Sequence, residues 1–296
     1  MRAVLLVTAL LGLGFAAAVG AEGGFGPVPV APAAQSFRIG TLKLWALHDA
    51  DNVVANDGKV FGADAGPAAV SDLLRAAGAP TDRITVSVNA LLVQTDGRVL
   101  LLDTGFGPKA HGALLASLGL AGIAPSAVTD VLITHSHGDH VGGLLDASGQ
   151  LAFPKATIRM ASAEWAWMQQ QGSAALVKAI AEHVRTFEPG APIAPGVSSI
   201  ALDGHTPGHV GYEISSGRAL LLDVGDMVHS SIISLARPQW IMGFDSDPAV
   251  ARTTRLNTLA ALAKDKELVF SPHFPFPGVG HVAAQGDGFV WEPGVP

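Results

Sequence analysis

Thr134-His135-Ser136-His137-Gly138-Asp139-His140 is the stretch on which the reading of this chain turns. Three imidazoles and a carboxylate fall in the segment from 135 to 140, straight after the apolar run Val131-Leu132-Ile133. Imidazole is the commonest metal ligand in proteins, and mixed imidazole–carboxylate sets suit zinc and its neighbours. The apolar run reads as a buried strand. The cluster therefore stands at a strand's carboxyl end, a common place for a site in α/β proteins.

Composition narrows the chemistry. None of the 296 residues is cysteine, which removes disulfides, zinc–thiolate sites and a cysteine nucleophile together. Any metal must be held by His, Asp or Glu. A net charge of −7 without a basic run argues against a nucleic-acid partner. With 49% apolar and 15% charged residues, the chain is too apolar for disorder. Its many Gly and Pro fit a globular α/β protein rich in turns.

Residues 1–21 read as a secretory signal peptide. Arg2 precedes an apolar stretch, Val4 to Val19, and Ala16-Ala17-Ala18 or Val19-Gly20-Ala21 offers a cleavage site. The apolar stretch is shorter than the roughly 20 residues a bilayer span needs. The expectation is export, periplasmic or secreted, with no stable membrane span after cleavage. Residues 22–36, rich in Gly, Pro and Ala, read as a flexible lead-in. Residues 37–296 read as one domain.

Within that domain strand and helix patterns alternate. Strands are predicted over 42–47, 84–95, 99–103, 131–134, 157–160, 211–215, 218–223 and 268–271. Asp96-Gly97 is a tight-turn signal between two of them. Helices are predicted over 70–77, 113–118, 163–170, 174–184 and 248–262, the last with Pro248 at its start. Residues 48–70 read as loop. Further polar groups follow the later strands: His205 and His209 in Asp203-Gly204-His205-Thr206-Pro207-Gly208-His209, Asp226 after Gly225, and His273 in Ser271-Pro272-His273-Phe274-Pro275.

The string from His135 to His140, with a later His209, Asp226 and His273, resembles the metallo-β-lactamase fold superfamily of hydrolases over roughly residues 37–291. Weaker segments, Leu151-Ala152-Phe153-Pro154, Asp245-Ser246-Asp247 and Phe276-Pro277-Gly278-Val279-Gly280-His281, resemble the branch with methyl parathion hydrolase and lactonase-like enzymes. The resemblance implies a four-layer αβ/βα sandwich: two mixed β-sheets with outer helices. It also implies two divalent metal ions, zinc foremost, with manganese, iron or cobalt accepting the same donors. His135, His137 and His209 would hold the first ion, and Asp139, His140 and His273 the second. Asp226 would bridge them. His205 reads as a turn or supporting residue, Asp223 as a rival to Asp226, and Asp103 as a group that orients a ligand.

The implied reaction is hydrolysis by a hydroxide bridging the metals, with Asp139 and Asp226 as the carboxylates at the chemistry. The expected substrate is a small, neutral, apolar ester: a lactone, a carboxyl ester or an organophosphate triester. No Gly-x-Ser-x-Gly elbow competes as a nucleophile. Pocket candidates are Trp165, Trp240, Phe274 and Phe276, with Trp167 beside them. The apolar segment Ile232–Leu235 is a candidate pocket wall or homodimer surface. Two rival readings are a β-lactamase and a metal-binding protein of the same fold without turnover.

Overall fold

The computed structural model describes residues 25–296, so the predicted signal peptide lies outside the described residues. The first sheet contains β1 (Gly26–Val28), β2 (Ala33–Ile39), β3 (Leu42–Ala55), β4 (Arg83–Thr95), β5 (Arg98–Leu102), β6 (Asp130–Leu132), β7 (Thr157–Ala161) and β8 (Val184–Phe187). β2, β3, β4 and β5 pair antiparallel in that order, while β5 to β8 run parallel. The second sheet contains β9 (Pro192–Ala194), β10 (Val197–Ala201), β11 (Val210–Ser216), β12 (Ala219–Asp223), β13 (Leu268–Phe270), β14 (Val279–Gln285) and β15 (Gly288–Pro293). Only β12 and β13 pair parallel there, so both sheets are mixed.

The period of two in the apolar strands builds the layers. Leu44, Ala46, Leu91, Val93, Leu100 and Leu102 face inward and meet Tyr212, Ile214, Leu221 and Phe270 of the second sheet. Their neighbours Trp45, Leu47, Ala90, Leu92 and Leu101 face outward. There they are covered by α2 (Leu114–Leu120), α4 (Ser162–Gln171) and α5 (Ala174–Ile180). On the far side Leu222, Val224 and Val269 pack under α6 (Ile233–Ala236) and α7 (Pro248–Asp265). The result is helix, sheet, sheet, helix, as expected. A fourth apolar cluster joins α1 (Pro67–Ala76) to Phe61, Ile84, Val86, Ile233 and Met242 beside the sheet edge.

Two sequence expectations are corrected. The lead-in at 22–36 is not flexible throughout: Gly26–Val28 pairs with Asp51–Val53, and Ala33–Ile39 pairs with Leu42–His48. Backbone hydrogen bonding needs no apolar alternation, so a Pro- and Ala-rich strand gives little signal. The predicted loop from 48 onward is the second half of a long strand ending at Ala55, whose Asn52 and Val54 line the cavity at the site. Of the apolar segment Ile232–Leu235, Ile233 and Leu235 turn into the chain, and only Ile232 keeps an apolar side chain half-exposed. Among the described residues no helix is long and apolar enough to cross a membrane.

The sheets are tied at both ends. Tyr212 Oη donates to the Ile133 carbonyl at 2.8 Å, and the Val210 amide to the Thr134 carbonyl at 3.0 Å. At the opposite end Arg98 donates to the Ile193 carbonyl at 3.0 Å, and its Nε to Asp130 at 3.0 Å. Arg159 Nε also donates to Asp130, at 2.7 Å. Burial raises the Asp130 carboxyl, but the hydrogen bonds from Arg98, Arg159 and Thr129 outweigh it and hold the pKa below the ordinary value of 3.8. A depressed folded-state pKa gives stability that is present above the unfolded value and lost as pH falls through the folded one. Asp130→Ala is expected to cost roughly 2–3 kcal/mol at neutral pH, by leaving two half-buried guanidiniums unpaired. Thermal melts at pH 7 and about pH 3 check this, since the gap to the parent should narrow in acid.

Candidate metal centre

Every cluster residue leaves a strand at one common edge. β6 ends at Leu132, and Ile133-Thr134 carries the chain to His135. The one-turn helix α3 (Gly138–Val141) presents Asp139 and His140. His205 lies between β10 and β11, Asp226 follows β12, and His273 follows β13. Gly225 makes the last approach, at φ 47°, where a Cβ atom would lie 2.5 Å from His209 Nε2. Only glycine permits both that backbone angle and that contact.

The hydrogen bonds around the cluster fix how the rings are protonated. His140 Nδ1 donates to Asp103 Oδ2 at 2.8 Å. His273 Nδ1 donates to the Ser87 carbonyl at 2.8 Å, and His205 Nδ1 to Asp245 Oδ1 at 3.0 Å. Thr134 Oγ1 gives its proton to Asp103, so it accepts from His135 Nδ1 at 3.1 Å. In each neutral ring the remaining nitrogen, Nε2, is then a lone pair turned inward.

Those lone pairs converge on a carboxylate. Asp226 Oδ1 stands 3.1 Å from His140 Nε2 and 3.1 Å from His273 Nε2. Asp226 Oδ2 stands 3.5 Å from His135 Nε2 and 3.3 Å from His205 Nε2. Oδ1 thus faces one pair of rings, while Oδ2 faces His135 and His205 together with His229 at 3.0 Å and His273 at 3.3 Å. His137 Nδ1 adds a third nitrogen to the second pair, 3.0 Å from His135 Nε2 and 2.9 Å from His205 Nε2. Asp139 Oδ2 lies 3.5 Å from His273 Nε2. Buried His140 Nε2 and Asp226 Oδ1 have no hydrogen-bond partner. A knot of acceptors with so few donors needs cations, and the donor set fits divalent metal ions: His135, His137, His205 and Asp226 form one group, Asp139, His140 and His273 a second, and Asp226, His229 and His273 a third that shares residues with both.

The electrostatics of the cluster point the same way. Burial, then the charge of His140, depresses the His135 pKa well below the usual imidazole value. Burial opposes ionisation of Asp226, but His140, His273, His229 and His135 outweigh it and hold the carboxyl well below its usual range. Burial also opposes charging of His205, but Asp226 and Asp245 raise it to about 9. Without bound cations, the anion at the centre draws protons onto the rings around it, His205 among them, in the places that metal ions would take.

The structure corrects one expected ligand. His209 is not in the cluster of donors, and His205 takes that place. Both nitrogens of His209 are already engaged: Nδ1 donates to the Leu202 carbonyl at 2.8 Å, and Nε2 accepts the Asp226 amide at 2.9 Å. His209 therefore holds the backbone of Asp226 in place. We expect His205→Ala to remove about one equivalent of bound metal, and His209→Ala to lower Tm while leaving His205 to bind. Metal analysis beside thermal melts separates the two.

A cavity of about 250 Å³ opens over the cluster. His137, Asp139, Asp226, His229 and His273 lie at its base. Its walls are Val54, Phe61, Val86, Phe106, Met242 and Phe244, with Asn52 as a single uncharged polar group. The expected pocket aromatics are elsewhere. Phe274 is fully buried against Trp291, with ring centres 4.8 Å apart. Phe276 stacks on His48 at 5.1 Å. Trp165 packs on the core under the outer helices, and Trp240 on the apolar cluster around Phe61. These large side chains serve as packing, which is the commoner use of an aromatic. Trp167 is nearer the cluster, edge-on to His137 at 5.7 Å. Asp223 is absent from the cluster and accepts the Gly225 amide at 3.1 Å.

Comparison with known proteins places this arrangement. The family model described as "Metallo-beta-lactamase superfamily" matches residues 83–273. The chain belongs to that superfamily. Within it, the metallo-beta-lactamase domain-containing protein 1 of Mus musculus is 56% identical over 45 residues, which is 15% of this chain and 17% of that protein. The chain thus spans about a sixth of that curated relative. Among solved structures, AidC, a dizinc quorum-quenching lactonase, was determined in complex with a product. It superposes with a TM-score of 0.83 at 28% identity, covering 89% of this chain and 98% of its own. The hydrolase AbOPH superposes with a TM-score of 0.81 at 29% identity, with coverage of 89% and 98%.

This metallo-beta-lactamase domain also holds residues that sequence reasoning passed over. Glu164, fully buried in α4, accepts from the Ser136 amide at 2.7 Å and from Ser136 Oγ at 2.6 Å. Its other oxygen accepts from Thr206 Oγ1 at 2.6 Å and the Gly208 amide at 3.2 Å. One side chain therefore joins both histidine loops. Asp245 holds His205 and is itself held by Arg255 Nη2 at 2.9 Å, which ties the centre to α7. His229 is buried beside Asp226. A lone Glu in a helix pattern gave no sign of its role. Asp245 stands in the quoted segment Asp245-Ser246-Asp247, but nothing there gives its tie to His205, 40 residues away.

Proposed function

We propose that this chain is a dinuclear metal-dependent hydrolase of small neutral esters with apolar substituents: lactones, carboxyl esters or organophosphate triesters. The convergence of inward lone pairs on both oxygens of Asp226 carries the reading. The apolar walls of the cavity favour a neutral substrate, since no charged side chain lies among them to pair with an ionic one. The hydrolase and lactonase named above support the class.

In this reading His135, His137 and His205 hold one ion, Asp139, His140 and His273 the other, and Asp226 lies between them. Such a pair supplies an activated water and polarises the electrophilic oxygen. The chain's own groups do the rest. Asp103 and Asp245 keep His140 and His205 in the tautomer that presents Nε2. Phe61, Val86, Phe106 and Met242 exclude bulk water from the ester. Asp139, the partly exposed carboxylate at the cavity base, is placed to accept a proton. Export guided by residues 1–21 belongs to the same proposal.

The test joins metal analysis to a substrate panel. We expect about two equivalents of transition metal per chain. We also expect turnover of at least one of an acyl-homoserine lactone, an aryl ester and a paraoxon-type triester. Full activity without metal, or a clear preference for a cephalosporin, would overturn the proposal.

A further inference from the structure

His229 is a buried imidazole without a partner. It is 4% exposed, and neither ring nitrogen makes a hydrogen bond. Its Nε2 stands 3.0 Å from Asp226 Oδ2 but lacks hydrogen-bond alignment. The ring lies parallel to His273, with centres 5.4 Å apart, and borders the cavity. An unsatisfied buried polar group is costly, so native structures rarely keep one without a use.

The position is held with care. The His229 amide donates to Ser234 Oγ at 3.3 Å and the Ser230 amide to the same oxygen at 3.1 Å. Ser230 Oγ in turn accepts the Ile233 amide at 3.1 Å. Two serines thus fix the backbone of a side chain that has no internal bond to make.

His229 could serve as a further metal ligand or face the substrate. The surrounding histidines decide between them. His135, His140, His205 and His273, the ligands that offer Nε2, each have Nδ1 hydrogen-bonded, which locks ring and tautomer for ligation; His137, which offers Nδ1, is the one ligand histidine without such a bond. His229 Nδ1 has no such bond. The cavity walls, moreover, offer an ester oxygen almost no donor, Asn52 being the only polar wall residue. A neutral imidazole always carries one N–H.

We infer that His229 is a hydrogen-bond donor to an ester oxygen of the substrate, and not a metal ligand. This rests on the hydrolase reading of the site. Binding satisfies the orphaned donor and fixes the ester over Asp226. Both effects strengthen as negative charge develops on that oxygen.

The test compares holoenzyme with His229→Ala and His229→Gln, the second keeping a neutral N–H donor. Zinc content and resistance to a chelator are expected to match the parent in both variants. The kcat/KM of His229→Ala on the best ester of the panel should fall roughly tenfold to a hundredfold, mostly through kcat. His229→Gln should recover a good part of it. Affinity for hexanoate, measured by calorimetry as a carboxylate product mimic, should fall in His229→Ala and return in His229→Gln. Loss of zinc from the folded variants would overturn the inference by making His229 a ligand. Unchanged kinetics and unchanged hexanoate affinity in His229→Ala would overturn it as well. A parent enzyme that turns over no ester sinks the hydrolase reading instead, while hexanoate binding still reports on His229.

Discussion

Asp226→Asn is expected to lower kcat/KM by about a thousandfold or more, with the fold intact. The change removes one negative charge and puts an NH₂ donor where an acceptor stood. Whichever oxygen is replaced, inward Nε2 atoms lose their anion: His140 and His273 at 3.1 Å around Oδ1, or His135 at 3.5 Å, His205 at 3.3 Å and His229 at 3.0 Å around Oδ2. Fewer than two metals should then remain bound. The fold should survive, because the side chain keeps its volume and the Asp226 amide still reaches His209 Nε2 at 2.9 Å. Metal analysis, circular dichroism and steady-state kinetics on one preparation check all three points. Wild-type rates would mean that Asp226 does not lie between two ions. Asp223 is no substitute, since burial, and then the charge of Asp103, pushes its carboxyl well above the usual range.

Glu164→Ala is expected to cost about 3–5 kcal/mol, near the upper end for a single substitution. Four donors from two loops lose their acceptor at once: the Ser136 amide and hydroxyl, the Thr206 hydroxyl and the Gly208 amide. None of them can turn to water without opening the space beneath His135, His137 and His205. Tm should fall by roughly 10 °C. Because the same loops carry metal donors, zinc affinity should drop by about tenfold to a hundredfold. Glu164→Gln should fall between, since it keeps one acceptor oxygen. Chelator competition followed by melting measures both effects. An unchanged melting curve would show that the loops hold their shape without this carboxylate.

The parts legible in the sequence are those written locally. Val131-Leu132-Ile133 followed by ligands gave both a buried strand and a site, because strand burial and ligand clustering fall within one short window. Alternating Leu44 to Leu47 and Ala90 to Val93 gave the two faces of a sheet. What stayed hidden depends on distant partners. His205 and His209 lie in one loop four residues apart, and nothing local says which ring turns inward. The choice is made by Asp245 on one side and by the Leu202 carbonyl and Asp226 amide on the other. The cavity lining was missed for a similar reason. Val54, Phe61 and Val86 come from strands and a loop far from the ligand motifs, whereas the conspicuous Phe274 beside His273 turns into the core. Proximity in sequence to a ligand does not set which way a side chain points.

The spread of the donors along the chain has a consequence for how the protein comes into being. His135 leaves the first sheet, while Asp226 and His273 leave the second, after its central strands. No ribosome-bound intermediate holding only the first sheet owns all of these donors. Metal capture is then a late step, possible only when the two halves have docked and His273 has been made. Bound ions would act as a clasp between the two halves, closing long loops from the first sheet to the second. Loop closure costs most where contacts are most remote in sequence. A chain that ends before residue 273 could fold its first sheet and still never become an enzyme.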